Sequence, residues 1–246
     1  MLAIDTSTEA CSAAVLLPDG QVISRFVLTE RSHADLILPM VDEVLRESGL
    51  SLAALDGLAF GRGPGGFTGL RIAAGVVQGL AFGAGLKVAP VSSLAAVAYQ
   101  VRPSPQPSPA GAREGAGSAG EGILVCNDAR MKELYWACYR FDPAAPTLPI
   151  QLAPERVSPS SAIEVPAGLV HVAGNGVERY PELRSRLDAA GLQFHAGLYP
   201  HAAAIAHLGA GMLQRGEGVD AAEALPTYVR DDVARPSANA AVTGMS

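Results

Sequence analysis

The sequence predicts an α/β fold built twice, with helices packed against a mixed sheet in each half. Three observations predict it. Each half opens with β-hairpin material around an acidic turn, Asp5-Thr6 in the first and Asp128-Ala129 in the second. Stretches of helical period follow those strands in both halves. A segment rich in Pro, Gly, Ala and Ser, Arg102 to Gly122, separates the two.

The elements can be justified in order. Leu2–Ile4 is apolar and runs into Asp5-Thr6-Ser7-Thr8. Ala10–Leu17 is apolar again, Pro18-Asp19-Gly20 makes a turn, and Gln21–Leu28 alternates as a third strand. Ser32, with Asp35 three residues on, is read as a capping-box variant opening a helix that stops at Gly49. Pro39 should bend that helix. Leu36 and Met40 widen its apolar arc to about twice the usual ~100°. That width fits a helix deep in its own core or one covered on a second side by a partner.

Leu55–Phe60 reads as a strand, Gly61–Gly66 as a loop and Phe67–Phe82 as a helix. Gly75, Gly79 and Gly83 share one face of that helix, each costing about 1 kcal/mol of helix stability. The repeated cost suggests close approach by another helix or strand. Val88–Val91 is a strand, and Ser92-Ser93 caps a helix to Tyr99. The second half begins with two strands around Asp128-Ala129-Arg130. Val170–Ala173 is a strand ending in Gly174-Asn175-Gly176, and His201–Gln214 is helical. The domain plan is residues 1–102, a connector at 103–122, a smaller unit at 123–200, a helix and strand at 201–234 packing back on the first unit, and a disordered tail at 235–246.

Composition narrows the function. The chain has 246 residues, 49% hydrophobic and 17% charged, so a sizeable core can be buried. The net charge of −6 and the lack of a basic run argue against an unaided grip on a phosphate backbone. Three Cys with no C-x-x-C read as reduced intracellular thiols. The N-terminus has no secretory pattern, and the apolar stretch Ile72–Leu86 is too short to span a bilayer comfortably. A cytoplasmic protein with no membrane contact is expected.

Two turns could meet an anion. The carboxylate of Asp5 could hold a metal-bound water while backbone amides of Thr6, Ser7 and Thr8 meet phosphate; the same residues also make a self-satisfied turn. Gly61-Arg62-Gly63-Pro64-Gly65-Gly66 leads a strand into a helix, as an anion loop with Gly63 and Gly65 as contacts or as a rigid elbow. No Lys-Ser/Thr follows, and Pro64 removes a donor. Gly174-Asn175-Gly176 closes on a ligand or is a plain turn. The five histidines form no H-E-x-x-H pattern, and no nucleophile is paired with a base.

The strings MLAIDTSTEACSAAVL, RSHADLILPMVDEVL, DGLAFGRGPGGFTGLRIAAGVVQGLAFG, VAPVSSLAAVA, NDARMKELYWACY, GNG and LPTYVRDDVA, in that order, resemble the TsaB (YeaZ) family. The long connector departs from its pattern. The resemblance implies the ASKHA fold of actin, sugar kinases and TsaD, the threonylcarbamoyltransferase acting on tRNAs that read ANN codons. It implies a non-catalytic partner of TsaD, with TsaE in the larger complex, a homodimer when alone, and tRNA met only through the complex. TsaD holds a metal with His-x-x-x-His where this chain has Ser93 and Val97, so neither metal nor catalysis is expected here. No cofactor of its own is implied, though ATP or ADP could sit in the assembled complex. The implied interface is His33, Leu36, Ile37, Met40, Phe67, Arg71, Ala74 and Gln78. An ASKHA phosphotransferase anchored on Asp5, or a glycoprotease-like metallopeptidase, are the competing readings.

Overall fold

A computed structural model describes residues 1–29, 32–101, 120–142 and 145–230. Most of the predicted connector and the predicted tail at 235–246 lie outside the described residues.

The first subdomain starts with β1 (Leu2–Asp5), β2 (Ala10–Leu16) and β3 (Val22–Leu28), an antiparallel meander. Helix α1 (His33–Ser48) follows, then β4 (Leu58–Gly63), α2 (Phe67–Ala84), β5 (Val88–Ser92) and α3 (Ser93–Gln100). The sheet order is β3-β2-β1-β4-β5, with β4 and β5 parallel to β1. The second subdomain holds β6 (Gly122–Asp128), β7 (Glu133–Asp142), β8 (Ala145–Gln151), β9 (Arg156–Pro159), β10 (Leu169–Gly174), α4 (Pro181–Ala189) and β11 (Gln193–Ala196). Its order, β8-β7-β6-β10-β11 with β9 also on β7, repeats the first sheet strand for strand. The duplication read from two acidic turns is thus present at the level of topology. Helix α5 (Ala202–Gln214) returns to the first sheet.

The layers follow from strand alternation. Leu2 and Ile4 point to one face, where α1 and α2 cover them with Ile37, Val41, Val44, Ala73 and Val77. Met1 and Ala3 point to the other, with Ala204, Ile205 and Leu208 of α5. Small residues there let the helix approach closely: a Cβ on Gly209 would lie 2.6 Å from the Ala59 methyl. In the second sheet, Leu124 and Cys126 face Leu183 and Leu187 of α4, while Ile123 and Val125 face Leu94, Val97 and Ala98 of α3. Helix α3 is therefore buried between the two subdomains, which explains its almost wholly apolar sequence.

Several boundaries differ from the sequence reading. Ser32 makes no side-chain cap, so the expected capping box is not formed; α1 starts on backbone bonds from Asp35 N and Leu36 N to Ser32 O, at 3.1 and 3.0 Å. It ends at Gly49, whose φ of 68° is left-handed, as expected of a glycine stop. Pro39 lies inside the continuous helix. Residues 52–54 form a single 3-10 turn, so β4 begins at Leu58 and runs through Gly61 and Gly63, which the sequence reading gave to a loop. Of the strand expected with the helix in 201–234, the described residues show a single bridge, Val88 to Val219, followed by a 3-10 turn at Ala221–Glu223. Strands β8, β9 and β11 and helix α4 have no counterpart in the sequence reading.

Candidate functional site

The glycine loop packs onto the turn after β1, backbone on backbone. Ser7 O accepts from Gly66 N at 2.7 Å. A Cβ on Gly65 would lie 2.3 Å from Ser7 O, and one on Gly61 would lie 1.8 Å from Asp5 Oδ2. The glycines are required because no side chain fits. The Gly63–Pro64 peptide is cis, and Gly63 has φ 108°.

Asp5, Thr6 and Ser7 are buried beneath this loop. Asp5 Oδ1 accepts from Ser7 N at 3.0 Å and from Ser7 Oγ at 2.9 Å. Thr6 Oγ1 donates to Gly69 O at 2.7 Å. Asp5 Oδ2 and Ser93 Oγ, both beside Gly61, have no hydrogen-bond partner among the described residues. Burial raises the Asp5 pKa to about 7, against the lowering effect of the two Ser7 bonds. Because Oδ2 is closed off from solvent, Asp5 does not present an oxygen to a metal-bound water or a nucleotide. The residues present do not fit that group.

A cleft of about 630 Å³ opens between the subdomains. Thr8, Glu9 and His33 form part of one wall, with Gly65, Phe67 and Thr68 at the start of α2. Asp128, Arg130 and Tyr135 come from the second subdomain, and Thr227, Tyr228 and Arg230 from the chain beyond α5. Of the predicted phosphate contacts, only Thr8 and Gly65 reach the cleft; Asp5, Thr6, Ser7 and Gly63 lie beneath it. Its cations are largely engaged. Arg230 pairs with Glu133, and Arg130 lies 3.8 Å from Asp128. His33 Nε2 sits 2.9 Å from Thr8 O.

Contacts across the cleft come from residues far apart in sequence. Asn175 Oδ1 accepts from Asp128 N at 3.0 Å, while its Nδ2 donates to Glu9 Oε1 at 3.4 Å. Gly174-Asn175-Gly176 is therefore a turn that also joins the subdomains. On the α3 side, Ser92 Oγ donates to Glu155 and lies 3.3 Å from Tyr139 OH, and Arg62 reaches Glu155 at 3.5 Å. Burial raises the pKa of Glu155 and of Tyr139. Asn175 lies in the turn that the sequence offers as a ligand contact or a plain turn, whereas Tyr228, Arg230, Glu133 and Glu155 are not candidates from the sequence. The strings LPTYVRDDVA, with Tyr228 and Arg230, and NDARMKELYWACY, with Glu133, are the signals available.

The residues implied as a partner interface divide. Ile37 and Ala74 are buried in this chain's own core, and Leu36 and Met40 pack against it. Gln78 Nε2 donates to Ala224 O at 3.2 Å. His33 faces the cleft. Phe67 and Arg71 are exposed on α2, with the Arg71 guanidinium 3.9 Å above the Phe67 ring. On α1 and α2, Leu38, at 51%, and Phe82, at 85%, are exposed apolar groups that the implied interface leaves out.

Two repeated subdomains around a central cleft, each sheet in the order of the other, define an actin-like α/β protein of the ASKHA class. The family model for TsaD, tRNA N6-adenosine threonylcarbamoyltransferase, matches residues 26–169. The tRNA threonylcarbamoyladenosine biosynthesis protein TsaB of Escherichia coli is 37% identical over 244 residues, 95% of this chain and 96% of that protein. The TsaB protein of Haemophilus influenzae is 47% identical over 137 residues, 56% of this chain and 52% of that protein. The structure of YeaZ from Pseudomonas aeruginosa superposes with a TM-score of 0.74 at 38% identity, covering 92% of this chain and 98% of that one. The chain belongs to the TsaB (YeaZ) family.

Proposed function

We propose that this chain serves the formation of threonylcarbamoyladenosine in tRNA as a non-catalytic subunit that docks TsaD. The observation that carries the reading is the outer face of α2. That helix is long and apolar enough to cross a membrane by length and composition, yet only Leu70, Ala73, Ala74, Val77 and Ala81 are buried. Its other side shows Phe82 and three glycines, Gly75, Gly79 and Gly83, and among the described residues nothing outside the helix's own backbone lies within 4 Å of where a Cβ would stand. Helix α1 lies alongside and adds Leu38. An exposed apolar face of this kind marks a protein contact, and glycines allow a partner helix to approach closely. The same face would serve a homodimer when TsaD is absent.

Ser93 and Val97 support the non-catalytic role. They replace a His pair in a helix sealed between the subdomains, where both are fully buried. The net charge of −6 supports the view that tRNA meets the assembled complex rather than this chain alone. In this reading ATP or ADP and TsaE also join that complex, in the cytoplasm. The phosphotransferase reading has against it the closed-off Asp5 carboxylate.

Phe82→Glu should change the stability of the free chain by no more than about 0.5 kcal/mol, since the side chain is exposed. It should weaken TsaD binding by roughly tenfold or more. Titration calorimetry and a threonylcarbamoyl-transfer assay, with TsaD alone and with each chain added, check this. Equal binding by Phe82→Glu and the native chain, or no gain in transfer on adding the native chain, sinks the reading. Leu36 is a poorer probe, because its side chain also packs on the core.

A further inference from the structure

The chain from Leu225 to Arg230 has no regular secondary structure, yet it is held at both ends. Thr227 N donates to Arg62 O at 2.7 Å in the first subdomain. Tyr228 lies against the first turn of α2, its ring centroid 5.4 Å from that of Phe67. Its hydroxyl accepts from Arg71 Nε at 3.1 Å. Two residues on, Arg230 is in the second subdomain. It donates to Ala129 O at 3.1 Å and to the Glu133 carboxylate, on the turn between β6 and β7.

We propose that Leu225–Arg230 is a clasp that ties the cleft shut and couples its closure to the exposed start of α2. Two residues of extended chain span at most about 7 Å, so little slack separates Tyr228 from Arg230. With a single backbone bond to the first subdomain, Thr227 N to Arg62 O, in place of a sheet ladder, the segment depends mainly on its side chains, and loosening one end loosens the other. Around Glu9 and Gly65 the other contacts between the subdomains are long: Asn175 to Glu9 is 3.4 Å, Arg179 to Glu9 is 3.8 Å and Tyr135 to Gly65 is 3.4 Å, while the close bond from Ser92 to Glu155 lies on the α3 side. Arg230, a charged donor with a carboxylate and a carbonyl, is the strongest tie on this side of the cleft. Any bearing of the clasp on TsaD docking rests on the reading above, because Tyr228 contacts Phe67 and Arg71 at one end of the α2 face. The coupling itself does not rest on it.

Amide hydrogen exchange on the full-length chain tests the coupling in both directions. Arg230→Ala should speed exchange at Thr227, in the first subdomain, by roughly tenfold, the effect of losing about 1.4 kcal/mol. Phe67→Ala should speed exchange at Ala129 and Glu133, whose amides are bonded within the turn of the second subdomain. Amides of β1 should be unchanged in both variants and report an intact core. If each substitution loosens only its own end, the clasp is overturned. If exchange is coupled but Arg230→Ala binds TsaD as the native chain does, the clasp stands and its link to docking is refuted.

Discussion

Alanine at two glycines of the same helix is expected to act with opposite sign. Gly69 and Gly75 both lie in α2, and helix propensity alone predicts that Ala at either position stabilises by about 1 kcal/mol. At Gly75 nothing lies within 4 Å of the new Cβ, so that gain should be realised. At Gly69 the Cβ would stand 1.9 Å from the carbonyl oxygen of Thr6. That oxygen is backbone, in a turn fixed by the Thr6 and Ser7 hydrogen bonds, and it cannot swing aside. Overpacking against backbone should cost about 3 kcal/mol or more. Urea unfolding of both variants decides it: Gly69→Ala should have a clearly lower midpoint and Gly75→Ala a slightly higher one, with similar m-values. A Gly69→Ala chain as stable as the native one would refute the description of the glycine loop as backbone laid on backbone. Gly75→Ala carries a second consequence. If the open glycine face receives a partner helix, the substitution that stabilises the free chain should weaken TsaD binding; unchanged binding would place the contact elsewhere on α2.

The architecture was legible where local chemistry decides it. The hairpin turns, the glycine stop at Gly49, the Ser92 cap with its 3.0 Å bond from Ala95 N, and the repeated acidic turns all lie within a few residues of what they specify. Ser32 shows the limit of such signals, since the cap residues are present and the cap is not formed. Strands β8, β9 and β11 were missed because they take their register from β7 and β10, not from their own pattern; β8 even carries Pro149. The cleft was the least legible part. It is assembled from Thr8, Phe67, Arg130, Tyr228 and Arg230, and the Arg71 to Tyr228 contact alone joins residues 157 apart. Nothing in the local sequence around Arg230 states that it will meet Glu133. Burial along α1 was half legible: the helical period takes in both Ile37 and Leu38, but whether an apolar residue there is core or surface depends on the sheet beneath it. That sheet claims Ile37 and leaves Leu38 outside.

The buried carboxylate of Asp5 should make the native chain lose stability as pH rises from about 4 to about 7. In the unfolded chain Asp5 ionises near its ordinary value of 3.8, whereas burial holds the folded pKa up to about 7. Between those values the unfolded state gives up a proton that the folded state keeps, so the unfolded state is increasingly favoured. The contribution is fully present below pH 4 and is gone above pH 7. Each pKa unit corresponds to about 1.4 kcal/mol, which gives an effect on the order of 4 kcal/mol across the window. Asp5→Asn removes the titration while leaving an amide oxygen to accept from Ser7 N and Ser7 Oγ, and it puts an NH₂ where Oδ2 now lacks a partner. The stability of Asp5→Asn relative to the native chain should therefore climb between pH 4 and 7 and level off above. Taking the difference between the two chains cancels the titration of every group that Asp5 does not touch. Cys11 is the exception, since the Asp5 charge adds to the burial that pushes its thiol up to about 11, but that thiol titrates outside the window. Denaturant melts at pH 4, 5.5, 7 and 8 measure the difference. A constant difference across that range would mean that Asp5 is ionised in the folded chain at pH 4, and then its second oxygen must have a partner that keeps it charged.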